Sequence, residues 1–455
     1  MQKRYVYSII LAASIAVMGM TGCQAIESLG KPKPVEFQSG QKVETESSTV
    51  TMVLQPGETE KLDELPGLMS ADLRGSENYE EIFAWAQAHP EVYVRYTVPL
   101  PNGSQVTNEI SALRVEDLKK DQVPELIKAI KCLPKMRELD LGAAREGFGW
   151  DEVLGVQQEL PELQLSYAGE LYGLPVHLSD TSLDLKYIQI DDGGELVKKV
   201  VACMPKLKFL DMDSCGLSDE EMASIRDAFP QVKVVWRVWF GDAYSVRTDV
   251  ERILASKPSQ GGGLHSGNTQ SLKYCTDVKY LDLGHNEGLD DISFVKYMPE
   301  LEVAILAMGA WSDTTPLLQC PKLEYLEIQT NPISDISGLA NCTQLQHLNI
   351  CNLNGPVDLS PLFGMDKLQR LWIGGYTHVD PEQVKKIQEN NPDCEINTSA
   401  GDPTEGHWRY VDLNLDTWVY IQHPRYVLLR DQFGGYKDSA FAFYWNDPLC
   451  PKNFE

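Results

Sequence analysis

Two copies of one short phrase lie in the stretch LEYLEIQTNPISDISGLANCTQLQHLNI, residues 323–350. LEYLEI begins at residue 323 and LQHLNI at residue 345, and related phrases begin at 278, 301 and 368, so the steps are 22 or 23 residues. Each copy has the alternation of a short strand with inward apolar residues. One copy cannot bury its own apolar face, so the pattern predicts that neighbouring copies stack and share a core.

The segments between these strands are also periodic. In NPISDISGLANC the apolar residues are three apart, at Ile333, Ile336, Leu339 and Cys342. A step of three fits a 3₁₀ turn better than the 3.6 residues per turn of an α-helix. The sequence therefore predicts strands on one side of each repeat and 3₁₀ turns on the other.

The cysteines follow the repeat. The last apolar place of each turn holds Met298, Cys320, Cys342 and Met365 in successive copies. A place that accepts either residue type is an apolar core position. Nine cysteines remain when Cys23 is set aside, an odd number, so they cannot all pair within one chain. We expect buried free thiols, with a Cys320–Cys342 disulfide as the alternative.

A longer period precedes the short one. Three phrases recur at steps of 71 residues when aligned on their central leucines: CLPKMRELDL (132–141), CMPKLKFLDM (203–212) and CTDVKYLDLG (275–284). Asn78 with Glu81, and Ser218 with Glu221, have the spacing of capping boxes at helix starts. Residues 61–277 are therefore predicted to form three tandem units. Each unit holds a strand, a helix, a second strand, an irregular connection and a second helix.

The short phrases follow the LxxLxL pattern of leucine-rich repeats. The opening stretch resembles internalin-type repeats of bacterial surface proteins, and this resemblance covers roughly residues 275–375. LKFLDMDSCGLSDEEMASIRDAFPQVKVVW (207–236) is similar to the helical repeats of ribonuclease-inhibitor-type proteins. The resemblances imply an α/β leucine-rich-repeat solenoid with a parallel concave sheet, and a mixed helical and 3₁₀-type convex side. The repeats of 22–23 residues occupy 278–400, and a small aromatic-rich cap follows at 401–455.

The first residues have the features of a secretory signal at 1–22. Lys3 and Arg4 form a short positive region, an apolar run follows, and the chain then reads MTGC up to Cys23. MTGC resembles the lipobox of bacterial lipoproteins. The resemblance implies that Cys23 carries a lipid and becomes the first residue of the mature chain, which makes the membrane a partner. The polar composition of 23–60 predicts a flexible tether. The alternative is an ordinary cleaved signal that contains a cysteine.

Composition excludes some classes of function. The net charge is −26, which repels phosphate backbones and argues against nucleic acid as a partner. The chain contains no GxSxG, HExxH or CxxC motif, so no catalytic residue, metal ligand or cofactor site is assigned from it. We expect a protein that is not an enzyme, located outside the cytoplasm and anchored by its lipid to the bacterial membrane.

The intervening residues of each strand should line the outer, usually concave, face of the sheet. These candidate ligand-binding residues are Asp282, His285, Ile305, Met308, Glu327, Gln329, Asn349, Asn352 and Trp372. A solenoid usually binds its ligand on this extended surface. The predicted partner is a protein or peptide, and the alternative is a solvated face without a ligand. If the register is right, Leu326→Asp should unfold the solenoid, whereas Glu327→Lys should leave the melting temperature nearly unchanged.

The C-terminal segment, 401–455, carries twelve of the forty aromatic residues. We expect these aromatics to cap the last repeat. If they are exposed instead, Trp418, Tyr420 and Trp445 are the first candidates, and the function moves to binding of carbohydrate or cell wall. A further alternative is an envelope hydrolase with a carboxylate pair in one of the long connections.

Overall fold

The computed structural model describes residues 33–242, 244–256, 263–400, 407–414 and 419–433, and only the backbone of 412–414 and 419–420. The chain divides into two compact units. One ends at Phe148 and takes in Gly155–Ser166, and the other contains Gly149–Leu154 and continues from Tyr167. Within the described ranges, no helix has the length and apolar character needed to cross a membrane. Cys23 and the predicted signal lie outside the described residues.

The tether predicted for 23–60 is wrong from the point where the description begins. β1 (Val35–Glu36) and β2 (Lys42–Val43) pair as an antiparallel hairpin. Phe37, just after β1, is buried with 2% of its surface exposed. The sequence conceals this because each buried residue stands alone between polar ones, as on a strand that buries one face.

The first unit continues with strands and helices in alternation. Its elements are β3 (Thr49–Thr51), β4 (Ser70–Asp72), α1 (Tyr79–Ala88), β5 (Tyr93–Arg95), β6 (Thr97–Pro99), β7 (Gln105–Thr107), β8 (Ala112–Arg114), α2 (Val123–Lys131) and β9 (Glu138–Ala143). Strands β3, β4 and β5 form a parallel sheet, and β8 pairs in parallel with β9. Between these parallel strands, β6 and β7 form an antiparallel hairpin.

The same plan continues along the chain. The next elements are α3 (Trp150–Glu159), β10 (Gln164–Leu171), β11 (Leu174–His177), β12 (Ser182–Asp184), α4 (Glu195–Ala202), β13 (Phe209–Asp211), α5 (Asp219–Ala228), β14 (Lys233–Val235), β15 (Arg237–Phe240), β16 (Tyr244–Arg247) and β17 (Arg252–Leu254). β12, β13 and β14 form a parallel sheet, and β10–β11 and β15–β16 are antiparallel hairpins. The connection predicted to be irregular therefore contains a hairpin in each of the three long units.

The short repeats form one uninterrupted sheet. The remaining elements are β18 (Tyr280–Asp282), β19 (Val303–Ile305), β20 (Tyr325–Glu327), β21 (His347–Asn349), β22 (Arg370–Gly374), α6 (Pro381–Asn390), β23 (Glu395–Ala400), β24 (Tyr410–Asn414), β25 (Val419–Gln422) and α7 (Pro424–Gln432). Strands β17 to β23 pair in parallel in chain order. The inward residues are adjacent in register, as Leu326 with Leu348 and Leu348 with Leu371, and all three are fully buried. The predicted leucine-rich-repeat fold is confirmed.

The opposite side of the first four short repeats is a 3₁₀ turn, as predicted, and in the last repeat it is the helix α6. These turns span Ser293–Tyr297, Thr315–Gln319, Ser337–Leu339 and Ser360–Leu362. The eight described cysteines are buried free thiols, including Cys320 and Cys342, so the prediction of thiols rather than a disulfide is confirmed for these residues. Burial raises the pKa of both thiols to about 12.

One of the two predicted capping boxes forms. The Ser218 hydroxyl accepts from the Glu221 amide at 3.2 Å, and the Glu221 carboxylate accepts from the Ser218 amide at 2.8 Å. The Asn78–Glu81 box is wrong, because Asn78 Nδ2 donates to the Glu81 carboxylate at 2.9 Å and caps no amide. Glu81 instead accepts from the Gly57 amide, which ties the helix start to an earlier loop.

A residue with left-handed backbone follows each short strand. The φ values are 58° at His285, 59° at Met308, 60° at Thr330 and 54° at Asn352. The same conformation follows β13 at Ser214, with φ of 57°. His285, Met308, Thr330 and Asn352 form one rim of the sheet of short repeats, at the carboxyl ends of its strands, and Ser214 has the equivalent place in the sheet of β12–β14.

Candidate functional site on the outer face of the sheet

Two columns of side chains cover the outer face of β17–β23. The first column is Arg252, Tyr280, Val303, Tyr325, His347, Arg370 and Glu395. The second column is Leu254, Asp282, Ile305, Glu327, Asn349, Trp372 and Asn397. Residues two apart on a strand share a face, so both columns lie opposite the inward leucines. Five predicted ligand residues, Asp282, Ile305, Glu327, Asn349 and Trp372, occupy the second column.

The predicted exposure of this face is wrong for most of the candidates. Asp282, Ile305, Glu327, Gln329, Asn349 and Trp372 are all buried, with at most 5% of their surface exposed. Met308 and Asn352 are partly exposed, and His285 is exposed. The buried residues do point outward from the repeat core, but a later part of the same chain covers them.

That cover is the C-terminal segment, defined here as the described residues between 407 and 433. Trp408 is fully buried between Tyr325 and Trp372, with ring centroids 5.6 and 5.2 Å away. Aromatic pairs at these separations stabilise by about 0.5–1.5 kcal/mol beyond the burial of their area. The described aromatics of the segment therefore pack on the face of the sheet rather than over the end of the last repeat. Trp418 and Trp445, and the side chain of Tyr420, lie outside the described parts.

Glu327 is the polar centre of this contact. Its carboxylate accepts from Trp408 Nε1 at 2.8 Å and from Arg409 Nη2 at 2.6 Å. It also accepts from Gln329 Nε2 at 2.9 Å and from the Tyr325 hydroxyl. Two donors thus come from its own repeat, Tyr325 in the strand and Gln329 just after it, and two come from the C-terminal segment.

The charge state of Glu327 follows from these partners. Burial raises the pKa of its carboxyl, but the Arg409 charge and the hydrogen bonds outweigh burial and lower the pKa to about 2. A buried carboxylate is tolerated only when it is paired and hydrogen-bonded. Removal of either Glu327 or Arg409 would leave the other charge buried without its partner.

Arg370 holds the backbone of the segment. Its guanidinium donates to the carbonyl oxygens of His407 and Trp408, the latter at 3.0 Å. The same guanidinium lies 4.6 Å from the Trp372 ring centroid and 4.8 Å from that of Trp408. Such cation–π contacts add about 0.5–2 kcal/mol each. Arg370 therefore donates to the carbonyl oxygens of two successive residues, and its guanidinium packs against the rings of Trp372 and Trp408.

The remainder of the segment contributes apolar contacts. Leu429 and Phe433 are fully buried in one cluster with Ile305 and Val303. The Phe433 ring centroid lies 6.1 Å from that of Tyr280. Arg425 lies over the Tyr325 ring, 4.7 Å from its centroid. The cover thus extends from the Trp372 strand to strands β18 and β19.

Polar atoms in this contact are incompletely matched. Within the described parts of the chain, Gln329 Oε1, His347 Nδ1 and Arg409 Nε are buried and have no hydrogen-bond partner. Burial, followed by the charges of Arg425 and Arg370, lowers the pKa of His347 to about 3. His347 is therefore a neutral imidazole at ordinary pH, enclosed beneath a cationic segment.

Sequence reasoning missed half of the site. Tyr325, His347 and Arg370 lie two residues before the candidates it named, and the alternation of a strand was a sufficient signal for them. Trp408 and Arg409 gave no such signal, because they lie 81 and 82 residues from Glu327 along the chain. The expected tolerance of Glu327→Lys rested on an exposed side chain, whereas Glu327 is buried, and this change would place a cation against Arg409.

Comparisons with known proteins add similarity of fold. No family model matches the chain, and no curated protein matches it in sequence. An internalin from Listeria monocytogenes, inlF, is 16% identical with a TM-score of 0.28, over 80% of this chain and 87% of its own. The leucine-rich-repeat protein LIC12759 of Leptospira interrogans is 16% identical with a TM-score of 0.28, over 82% and 96%.

A plant structure is also similar. The leucine-rich-repeat ectodomain of the Arabidopsis thaliana receptor kinase GASSHO1/SCHENGEN3, in complex with Casparian strip integrity factor 2, is 12% identical with a TM-score of 0.24. It matches over 77% of this chain and 40% of its own.

Proposed function

We propose that this protein is a non-enzymatic binding protein that takes a protein or peptide on the outer face of its leucine-rich-repeat sheet. The observation that carries the proposal is the docking of Trp408–Arg409 on Glu327, Tyr325 and Trp372. Side chains on that face already hold a polypeptide segment in three ways. Tyr325 and Trp372 contact the Trp408 ring, and Glu327 forms an ion pair with Arg409. Arg370 donates to two backbone carbonyl oxygens of the segment. These are the contacts that dominate peptide recognition at protein interfaces.

The membrane anchor is part of the same proposal and rests on the MTGC stretch alone. Lipid on Cys23 would hold the repeats on the outer side of a bacterial membrane, facing extracytoplasmic ligands. Expression of the full chain and of Cys23→Ser tests this directly. We expect the full chain in the membrane fraction with an acylated N-terminal peptide in mass spectrometry. We expect the variant in the soluble fraction, and equal partition of the two would contradict the anchor.

The binding function is tested with residues 24–455 and an unselected peptide library. A photoreactive amino acid is placed at Met308, on the rim of the outer face, and in a second protein at Tyr297, in a 3₁₀ turn on the other side. We expect crosslinks to peptide from position 308 in a saturable manner, and none above background from position 297. Crosslinking from position 297 alone would move the function to the opposite side of the repeat. Retention on purified cell wall that is lost without 401–455 would favour carbohydrate binding instead.

A further inference from the structure

We propose that the C-terminal segment is a built-in occupant of the outer face, and that the external ligand is a polypeptide that presents an aromatic residue followed by arginine and displaces it. The inference rests on the proposed function and names the chemistry of its ligand. It follows from the chemical groups that any segment covering the outer face must supply.

The outer face first requires a cation and an aromatic ring from the segment that covers it. Glu327 receives two donors from its own repeat and needs the indole N–H and the guanidinium from outside. The indole fills the space between Tyr325 and Trp372, and Arg409 follows it directly in sequence. An aliphatic residue would leave the rings without a stacking partner. A ligand without a cation would leave the carboxylate charge buried and uncompensated.

The outer face also requires a peptide backbone from its occupant. Arg370 donates to the carbonyl oxygens of His407 and Trp408, two successive residues. A small aromatic amine or a sugar has no such pair of carbonyl groups at this spacing. The face therefore selects a polypeptide, with the aromatic–arginine pair as the part that gives specificity.

The third observation is that the present occupant fits imperfectly. Gln329 and His347 are each 4% exposed. In the described structure, Gln329 Oε1, His347 Nδ1 and Arg409 Nε lack hydrogen-bond partners in this one contact. A buried polar atom without a partner destabilises the contact, because its lost hydrogen bonds to water are not replaced. A covalently attached segment tolerates such defects because attachment gives it a high effective concentration. A ligand that satisfies these atoms can therefore compete with it.

The test compares two forms of residues 24–455. One is the native chain, and the other, the release variant, carries Trp408→Ala and Arg409→Ala so that the face loses its occupant. The probe is a fluorescent peptide of residues 405–414, EGHWRYVDLN, followed by fluorescence anisotropy. We expect the release variant to bind the probe at least tenfold more tightly than the native chain. Adding Glu327→Gln to the release variant, or replacing the tryptophan or arginine of the probe by alanine, should weaken binding at least tenfold.

A second measurement does not depend on variants of the face. A protease site replaces residues 401–406, and the folded protein is cut there. We expect the probe to release the cut segment, detected by size-exclusion chromatography, and the alanine probes to leave it bound. Amide hydrogen exchange of β20–β22 confirms that each protein is folded.

Three results would overturn the inference. A folded release variant that binds no probe shows that the site does not recognise the aromatic–arginine pair in trans. Binding only of library peptides without that pair removes the specificity but leaves the proposed function standing. A concentration-dependent dimer of the native chain, broken by Trp408→Ala, would make the occupant the segment of a second copy. If no library peptide binds either form, the proposed function fails as well.

Discussion

The long units and the short repeats share one inner pattern and differ on their outer faces. In both regions the central leucine of the repeated phrase is buried, as with Leu139 in β9 and Leu326 in β20. On the outer side, Asp140 is partly exposed and lies 3.5 Å from Arg114, whose side chain is 65% exposed. Glu327, at the matching place of a short repeat, is fully buried against Arg409.

The comparison shows that the sequence repeat determines which residues are buried in the core. Contacts with other parts of the chain determine which outward residues are exposed. In the long units, antiparallel hairpins interrupt the parallel strands, and the outer carboxylates pair with arginines of the same region: Asp140 with Arg114 at a partly exposed place, and Asp211 with Arg247 at a buried one. In the short repeats the sheet is uninterrupted, so a remote segment can lie across several strands. Carboxylates at matching outer places, such as Asp140 and Glu327, therefore differ in their effect on stability. An exposed ion pair stabilises little, whereas a buried ion pair is costly to break.

The largest effect should come from the shared inner pattern. Leu326→Asp and Leu210→Asp each bury a charge in a stacked core, and we expect each to lower the stability of its region by about 4 kcal/mol or more. Circular dichroism melts and amide exchange check this. A clear difference between the two variants would show that the inner pattern does not operate equally in both regions.

The next effect separates the outer faces. Glu327→Gln keeps the shape of the side chain but leaves Arg409 without its partner, and we expect loss of about 3 kcal/mol from the docked segment. Increased amide exchange in 407–433, with β18–β22 still protected, measures it. The matched control is Asp140→Asn in an exposed pair, which should change stability by no more than about 1 kcal/mol. Similar losses in both variants would contradict the comparison.

Between pH 7 and 4.5, acid should act mainly on the covered face. His347 is neutral in the docked state with its pKa lowered to about 3, and His423 has its pKa lowered to about 4 by burial and then by the charges of Arg370, His407 and Arg425. When the segment leaves, both imidazoles regain an ordinary pKa near 6.5 and take up protons below it. Docking is thus fully stable above pH 6.5 and weakens as the pH falls towards 4. His347 contributes up to about 1.4 kcal/mol per pH unit.

Glu327 adds to this only at lower pH. Its lowered pKa of about 2 means that its contribution is present above an ordinary pKa near 4.5 and is lost as the pH falls through 2. Protection factors of 407–433, corrected for the intrinsic pH dependence of exchange, measure the window from pH 7 to 4.5. His347→Gln should flatten the dependence. Constant protection across that window in the native chain would contradict the prediction.

The smallest effect lies on the rim, which both regions share. Thr330 is β-branched and exposed with φ of 60°, a conformation in which asparagine is less strained. We expect Thr330→Asn to raise stability by about 0.5–1 kcal/mol. Thr51→Asn is the control, because this exposed threonine lies in a strand and asparagine should weaken it slightly. A loss at Thr330 in urea unfolding would show that its side chain has a role in packing.

The sequence was sufficient for several features that one repeat determines within itself. The inward leucines, the 3₁₀ turns, the Ser218 cap and the buried thiols all follow from local spacing. The hairpins of the long units were missed because they interrupt a parallel sheet without leaving a periodic signal. The cover over Glu327 was missed because it depends on one contact between residues about 80 positions apart. Tertiary contacts of that kind decide which outward residues are exposed.

The buried thiols can report when each repeat of the solenoid opens. Cys203, Cys320 and Cys342 are buried in different repeats, and burial raises the pKa of each thiol to about 12. A thiol held neutral inside the core reacts with an alkylating reagent only when its repeat opens. Because each repeat is stabilised mainly by its neighbours, opening should spread from one repeat to the next. The order in which these cysteines become alkylated would therefore trace, repeat by repeat, the route by which the chain comes apart.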